Sequence, residues 1–547
     1  MKRSVFERIA LAGRFLRCLP GFLGTPLTLE ACHARVREGL QAREASFLAM
    51  LERTIFARPA SPYRKLLDHA DATFGDVQEL VRREGLEGAL ERLYDAGVRV
   101  TLEEFKGRTP VRRGSLVIEV VSRDFDNPLL AGHIELQTGG SSGTATPLVF
   151  NLAHYAQEAV YDLNFLASFE ILDRPYGIWR PPPPYHAGLW AILDQAKLGR
   201  TTDKWFAQNC VSVRSRAWKE ALVTYCAILV SRVCRRPLPM PEYVPLDEAW
   251  RVAEWLAEMR GAGAPALFNT NVAAGVRVCA AARERGLDIS GTLFRLGGEP
   301  LTPAKARVMA ETGSAVVCHY GGGEAGRLGI ACCHGAALDD VHLLLDKIAL
   351  IRRPPAAGSA DGVLANVLTT LLPTTPKLLL NLENGDYGVV EERRCGCLFD
   401  ELGYPVHLHT IRSYGRLTSE GMTFLRADLV RLLEEVLPAR FGGGPTDYQL
   451  IETEEAGTGL PRIDLVVSPR VGPVDDGAVK ETVLRRLGRL DQTGGGGIFS
   501  DRWRQAGTLR VVRREPYATP VGKVLPLHVL SPDSPDGTAV GGLSALI

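Results

Sequence analysis

Residues 291–330 read GTLFRLGGEPLTPAKARVMAETGSAVVCHYGGGEAGRLGI. Two apolar runs rich in β-formers, 292–296 and 314–319, each end in glycines followed by an acid: Gly297, Gly298 and Glu299 after the first, Gly321, Gly322, Gly323 and Glu324 after the second. Between them Thr302 can cap a helix with Pro303 at its first position, and Gly313 can close it, which supplies the dozen or so residues that a parallel crossover needs. The same pattern runs once before, with a buried strand at 266–269 and a helix at 271–286. Repeated βα units predict a parallel sheet. Ligands of such sheets lie off the carboxyl ends of the strands, where Glu299, Tyr320 and Glu324 would sit.

With 547 residues the chain is long enough for more than one domain. A hydrophobic content of 46%, a charged content of 23% and a net charge of +1 describe an ordinary globular enzyme and give no reason to expect nucleic acid or an anionic membrane as partner. The N-terminus begins with basic residues, but Glu7, Arg8, Arg14 and Arg17 interrupt any apolar run, so it reads as an amphipathic helix rather than a signal peptide. The apolar stretch 221–230 is too short to span a bilayer. Eleven cysteines without regular spacing suit a reducing, cytoplasmic setting.

In chain order, 1–114 is helical in pattern and predicts a buttress for the sheet. Strands are expected at 115–122 and 131–137. The second leads into TGGSSGTAT at 138–146, followed by a helix at 148–169. A glycine- and hydroxyl-rich turn between strand and helix aims backbone N–H groups at one spot and suits phosphate; a plain surface loop has the same composition. It is not a Walker loop, because the Gly-Lys-Ser/Thr ending is missing. Residues 178–185, IWRPPPPY, break the pattern, and 190–235 reads as helical. Strands at 362–370 and 377–382 lead to Glu383, Asn384, Gly385 and Asp386, a turn that could offer a carboxylate to ribose hydroxyls or simply reverse a hairpin.

Near Arg416 the texture changes to a small α+β unit: helices at 426–437 and 480–490, strands at 448–452, 462–468 and 508–514. It closes with REPYATPVGK at 514–523, before a tail, 531–547, of disordered composition. The expected fold is therefore α/β, a large multi-lobed N-terminal domain with mainly parallel sheets (1–415) plus a small α+β C-terminal domain (416–547). Cys332 or Cys333, His342, Cys395 and Cys397 make a tetrahedral N/S set of the kind zinc takes, although buried free cysteines are common.

In this order the segments resemble the acyl-adenylate-forming superfamily, and within it the phenylacetate–CoA ligase-like branch. TGGSSGTAT is similar to the family's phosphate loop, GGE to its adenine-side element, and HYGGGE to its Tyr-Gly-x-x-Glu element. GD at 385–386 is similar to the ribose-binding site, YGR at 414–416 to the Gly-Arg before the hinge, and PYATPVGK to the C-terminal lysine motif. The resemblance implies activation of a small, aromatic acid by ATP to an acyl-adenylate with loss of pyrophosphate, then transfer to CoA. An amine or carrier protein is the alternative acceptor, and an inorganic acid such as nitrite an alternative substrate. A non-catalytic nucleotide- or partner-binding protein of the same fold is the reading from another class.

It also implies roles. Thr138, Gly140, Ser141, Ser142 and Gly143 would hold the outer phosphates; Gly298, Glu299, Tyr320 and Gly321 would line the nucleotide pocket. Asp386 would bind the ribose with Arg416 nearby, Glu324 would take Mg2+, and Lys523 would bridge the acid and the α-phosphate. In that branch a zinc knuckle often joins the segments carrying Cys333 (or Cys332, with His334 a further candidate), His342, Cys395 and Cys397, with Asp346 also in the pattern. Trp205, Phe206 and Asn271 would shape the acid site or serve as core. A monomer or homodimer is expected. The chain departs from the pattern at Gly323, where Thr or Ser is usual, at Thr146, where many relatives have lysine, and at Asn381 and Leu382, where Arg-Tyr precedes the Gly-Asp turn. The short 416–421 loop points away from CoA.

Overall fold

The computed structural model describes residues 5–137, 147–209, 218–355, 363–413, 416–419, 422–455, 460–489, 503–517 and 527–529. Its centre is a six-stranded sheet in the order Ala315–Cys318, Leu293–Gly297, Leu267–Asn271, Tyr176–Trp179, Lys204–Ala207 and Pro241–Tyr243. All five pairings are parallel, with Leu293 beside both Leu267 and Ala315. The inner strands are buried at every position or nearly so, as expected where helices cover both faces. The crossover after Leu293–Gly297 is the helix Pro303–Ala310, capped by Thr302, whose hydroxyl accepts from the Lys305 amide at 3.4 Å.

Packing on one face explains a glycine inside a strand. Trp255, on the helix Ala249–Gly261, lies 6.1 Å from the rings of Phe206 and Phe268, and Phe294 lies 5.9 Å from Phe268. A Cβ on Gly177 would come within 2.5 Å of the Trp255 ring, so only glycine lets the indole lie against the strand. Each such ring contributes about 1.5–3 kcal/mol by leaving water.

A second sheet runs in the order Tyr320–Gly322, Gly326–Ala331, Val341–Leu343, Val406–Ser413, Leu382–Glu392, Ala365–Thr370 and Ile348–Arg353, all antiparallel, with Val100–Thr101 added in parallel to Leu382–Glu392. The parallel expectation thus describes the central sheet, while this one is built from hairpins. A four-stranded sheet, Leu509–Arg513, Pro461–Val467, Tyr448–Glu454 and Leu527–Val529, packs on the helix Asp476–Arg489 around Leu450, Leu465, Val483 and Trp503.

Several local expectations are corrected. The stretch 190–235 is not helical throughout: Lys204–Ala207 is a strand, because its short apolar run fits equally into a helix or a buried sheet and the two neighbouring strands decide. The helix expected from 148 begins at Leu152; Pro147–Phe150 instead pairs with Ile134–Gln137, and Asn151 Oδ1 caps the helix by accepting from the His154 amide at 2.8 Å. Of 115–122 only Leu116–Ile118 is strand. Residues 377–381 are not strand: Asn381 takes a positive φ of 49° and spends its side-chain amide on the carbonyls of Leu90 and Val98. Residues 383–386 are no hairpin turn but lie inside the strand Leu382–Glu392. Among the described residues no helix is long and apolar enough to cross a membrane.

Candidate active site

The carboxyl ends of the central strands open into a cavity of about 390 Å³, closed on the other side by the antiparallel sheet. Each strand end contributes one polar group. Arg180 follows Trp179 and donates to Asn269 Oδ1 at 2.8 Å and to the Thr270 carbonyl at 2.6 Å. Gln208 donates to the Trp179 carbonyl at 3.0 Å and to Asn271 Oδ1 at 2.9 Å. Glu299 accepts from Asn271 Nδ2 at 3.1 Å and from the Ala273 amide at 2.9 Å. A carboxylate on that amide caps the helix Val272–Glu284, whose own N-cap side chain makes no such bond. The GGE element therefore anchors a helix at the cavity wall, with Gly298 beside it.

His319 directly follows the next strand, Ala315–Cys318. Its Nδ1 accepts from the Ala331 amide at 3.3 Å, and its Nε2 is buried with no partner among the described residues. Burial first, then Arg295, Arg327 and Arg180, hold the imidazole well below its ordinary range, so it is neutral and presents an N–H. Tyr320–Gly322 then turns back on Gly326–Ala331; a Cβ at Gly321 would sit 2.5 Å from the Gly326 carbonyl, which makes glycine obligatory in this hairpin.

The hairpin brings Tyr320 to Asp386. The phenol donates to Asp386 Oδ2 at 3.0 Å, Asn384 Nδ2 donates to the phenol at 2.6 Å and to Asp386 Oδ2 at 3.2 Å, and Ser413 donates to Asp386 Oδ1 at 2.6 Å. Glu324, immediately after the glycines, is ion-paired with Lys106. Burial favours its neutral form, but the Lys106 ammonium and its hydrogen bond outweigh that and hold the carboxyl down at about 2. Glu324 is therefore an ionised carboxylate facing the cavity, the hard oxygen donor that Mg2+ takes.

Beneath the cavity three carboxylates meet three cations. Arg295 pairs with Asp162, Arg327 pairs with Asp162 at 3.0 Å and Asp194 at 2.7 Å, and Lys347 pairs with Glu158. All six are nearly or wholly shielded from water. Glu158 and Asp162 stand one turn apart on one face of the helix Leu152–Ser168. Arg295 and Arg327 also line the cavity, so this network is its floor.

A separate group lies on inner strands of the antiparallel sheet, where Val341–Leu343 pairs with Val406–Ser413. Cys332, His342, Cys395 and His407 each offer one donor atom, all within 4.8 Å of one another. Cys397 Sγ and Cys395 Sγ lie 3.1 and 3.6 Å from His342 Nε2. Both imidazoles are oriented from behind: His342 Nδ1 meets the Tyr404 carbonyl at 2.7 Å, and His407 Nδ1 meets Asp340 Oδ1 at 2.8 Å, while His407 Nε2 has no hydrogen-bond partner among the described residues. Cys333 points instead at Ser168, 3.4 Å away, His334 Nδ1 meets the Cys395 carbonyl at 2.9 Å, and Asp346 accepts from Tyr161 and Tyr404, each at 2.7 Å.

Of the residues expected from sequence, the structure gathers Gly298, Glu299, Tyr320, Gly321, Glu324 and Asp386 around one cavity. Thr138, Gly140, Ser141, Ser142, Gly143 and Lys523 lie outside the described residues, as does the side chain of Arg416, which opens the strand Arg416–Ser419. Asn271 lines the cavity, whereas Trp205 and Phe206 are core. Sequence reasoning missed Lys106, His319, Arg295 and Arg327. Glu158 and Asp162, the only acids on a mostly buried helix, were a signal for buried partners; nothing local marked Lys106.

No family model matches the chain, and no curated protein sequence does. Solved structures do. A 2-hydroxyisobutyryl-CoA ligase, in complex with 2-HIB-AMP and CoA, superposes with a TM-score of 0.54 at 15% identity over 91% of this chain and 89% of that one. This chain has the adenylate-forming fold. An o-succinylbenzoate CoA synthetase from Bacillus subtilis (TM-score 0.41, 12% identity, 75% of this chain and 72% of that one) and an amide bond synthetase from Marinactinospora thermotolerans (0.39, 13%, 90% and 97%) are more distant in shape.

Proposed function

We propose that the protein is an ATP-dependent ligase that activates a small acid as its acyl-adenylate and passes it to CoA. The observation that carries this reading is the convergence of Tyr320 and Glu324 with Asp386, from two separate segments, on one cavity at the carboxyl ends of a parallel sheet. Asp386, held by three donors, would accept the ribose hydroxyls beside Tyr320, and Thr138, Gly140, Ser141, Ser142 and Gly143 would hold the outer phosphates. Charge develops on the phosphate oxygens as the acid attacks, so cations must be waiting there. Mg2+ on Glu324 would supply one, and Lys523, with Arg416 near the hinge, would bring others from a C-terminal domain beginning at 416. Gln449 holds Tyr517, six residues before Lys523 in the sequence, through bonds of 3.0 and 2.8 Å, which supports this assignment.

The acid would lie in the part of the cavity lined by Trp190, His186, Arg180, Gln208 and His319, a mix of rings and polar groups that suits a compact aromatic acid and not a long alkyl chain. An amine or carrier protein as acceptor is the second reading. It is favoured by the tight hairpin in which Ser419 pairs with Met422, leaving little loop to reach into the site for thiol transfer. A structural zinc on Cys332, His342 and two of Cys395, Cys397 and His407 belongs to the same proposal; Cys332 takes the place first given to Cys333.

The test is pyrophosphate release with MgATP across a panel of aryl acids, alkyl acids and nitrite, each with and without CoA or amines, beside Lys523→Ala. Acid-dependent release that Lys523→Ala abolishes supports adenylation, and the acceptor that adds AMP release selects the second step. No release with any acid would sink the ligase reading.

A further inference from the structure

The phosphate loop TGGSSGTAT holds hydroxyls and glycines but no lysine or arginine. The outer phosphates of ATP carry most of its charge, so a cation has to come from elsewhere. Among the described residues, four basic side chains line the cavity: Lys106, Arg180, Arg295 and Arg327. Arg295 and Arg327 are bound to the carboxylates of the floor, and Arg180 is fastened to the strand end at Asn269 and Thr270. Lys106 differs in one respect: its partner is Glu324, the carboxylate placed to take Mg2+.

The backbone explains how Lys106 reaches that spot. Val100–Thr101 pairs with Leu382 and Glu383, so the short helix Leu102–Phe105 lies against the strand that carries Asp386. Thr101 and Glu104 close a capping box, and Arg113 takes Glu104 at 2.9 Å. The acid nearest in sequence is thereby occupied, and Lys106 turns into the cavity with only 8% of its side chain exposed. A shielded Lys–Glu pair adds little net stability, so exchanging both partners costs little when better ones arrive.

We propose that Lys106 is a phosphate-binding residue of the adenylation site, holding Glu324 in the nucleotide-free protein and moving to the outer phosphate oxygens of ATP when Glu324 goes to the metal. This rests on the nucleotide site assigned above. A lysine suits the exchange, because a compact charge on a flexible stem can follow either partner. The cation missing from the loop is thus supplied by the N-terminal segment.

Isothermal titration of the full-length protein with ATP, AMP and pyrophosphate, each with Mg2+ and in EDTA, tests it. Lys106→Met is expected to weaken ATP and pyrophosphate at least tenfold, in EDTA as well as with Mg2+, and to leave AMP, which lacks the outer phosphates, within twofold. Lys106→Arg is expected to recover part of the loss. Glu324→Gln breaks the same pair but keeps the cation, so it should weaken ATP only with Mg2+ present. MgCl2 alone should raise the melting temperature of Lys106→Met more than that of the wild type. Equal losses for ATP and AMP, or none, would overturn the proposal. Wild-type protein that binds ATP without acid-dependent pyrophosphate release would sink the ligase reading and leave the Lys106 comparison decisive; protein that binds neither nucleotide would overturn both.

Discussion

The phenol of Tyr320 donates a hydrogen bond to Oδ2 of Asp386 at 3.0 Å, across 66 residues of chain. Tyr320 begins the strand Tyr320–Gly322 at one end of the antiparallel sheet and Asp386 lies inside Leu382–Glu392 of the same sheet, so this bond reaches over the three strands between them at the cavity. Tyr320→Phe removes one donor to a carboxylate, a loss of about 1.5–3 kcal/mol where the acceptor is charged. The expected outcome is a KM for ATP raised roughly tenfold or more, with kcat changed less and AMP weakened alongside ATP. ATP–pyrophosphate exchange and AMP titration measure this, and an unchanged KM would remove Tyr320 from the nucleotide pocket.

Arg327 is bound by Glu158 at 3.5 Å, Asp162 at 3.0 Å and Asp194 at 2.7 Å, all three carboxylates buried. Arg327→Met strands negative charge in the interior and should cost about 3–5 kcal/mol. Adding Asp194→Asn should return part of that loss, since it removes one of the stranded charges. Urea titrations of the two variants read the difference; a single variant as stable as the wild type would mean that the floor is hydrated.

Burial pushes the carboxyl of Asp346 up to about 6 from 3.8, against the pull of the Tyr404 and Tyr161 hydroxyls. A raised carboxyl pKa means that the folded state holds the proton longer than the unfolded chain. Asp346 therefore costs no stability below about pH 3.8 and an increasing amount up to about pH 6, where the penalty levels off at roughly 3 kcal/mol. The stability of Asp346→Asn relative to wild type should accordingly climb between pH 4 and 6 and stay flat above. Denaturant midpoints across that range decide it, and a pH-independent difference would refute the assignment.

The Cys332, His342, Cys395 and His407 group should copurify with about one zinc per chain. Removal by a strong chelator should lower the melting temperature by about 5 °C or more, because metal binding to a folded site is folding free energy. Cys395→Ser should do the same, whereas Cys333→Ser, beside Ser168, should keep the metal. Metal analysis that finds no zinc in freshly purified protein would end this reading.

The fold's central device was legible in one stretch of forty residues. Apolar runs that end in glycine, a Thr-Pro helix start and a Gly stop are local features, and local backbone preference is what a sequence states directly. Glu299, Tyr320, Glu324 and Asp386 could be placed near a site for the same reason, since each follows the end of a recognisable run. Where an apolar run was short, as at Lys204–Ala207, or where a turn signal sat inside a strand, as at Asn384 to Asp386, local preference was evenly divided and neighbouring strands decided.

The amino-acid sequence by itself determined the βα punctuation, the glycine-flanked acids, the cysteine and histidine complement, and a glycine- and hydroxyl-rich stretch at 138–146 without a cation. Tertiary structure alone decided who meets whom: Tyr320 with Asp386, Arg327 with three carboxylates, Cys332 rather than Cys333 toward His342, and Lys106 with Glu324, 218 residues apart. The physical reason is range. Backbone preferences act within a turn or two of chain, whereas the energy of a charge depends on its neighbours in space, which only the packed sheets bring together.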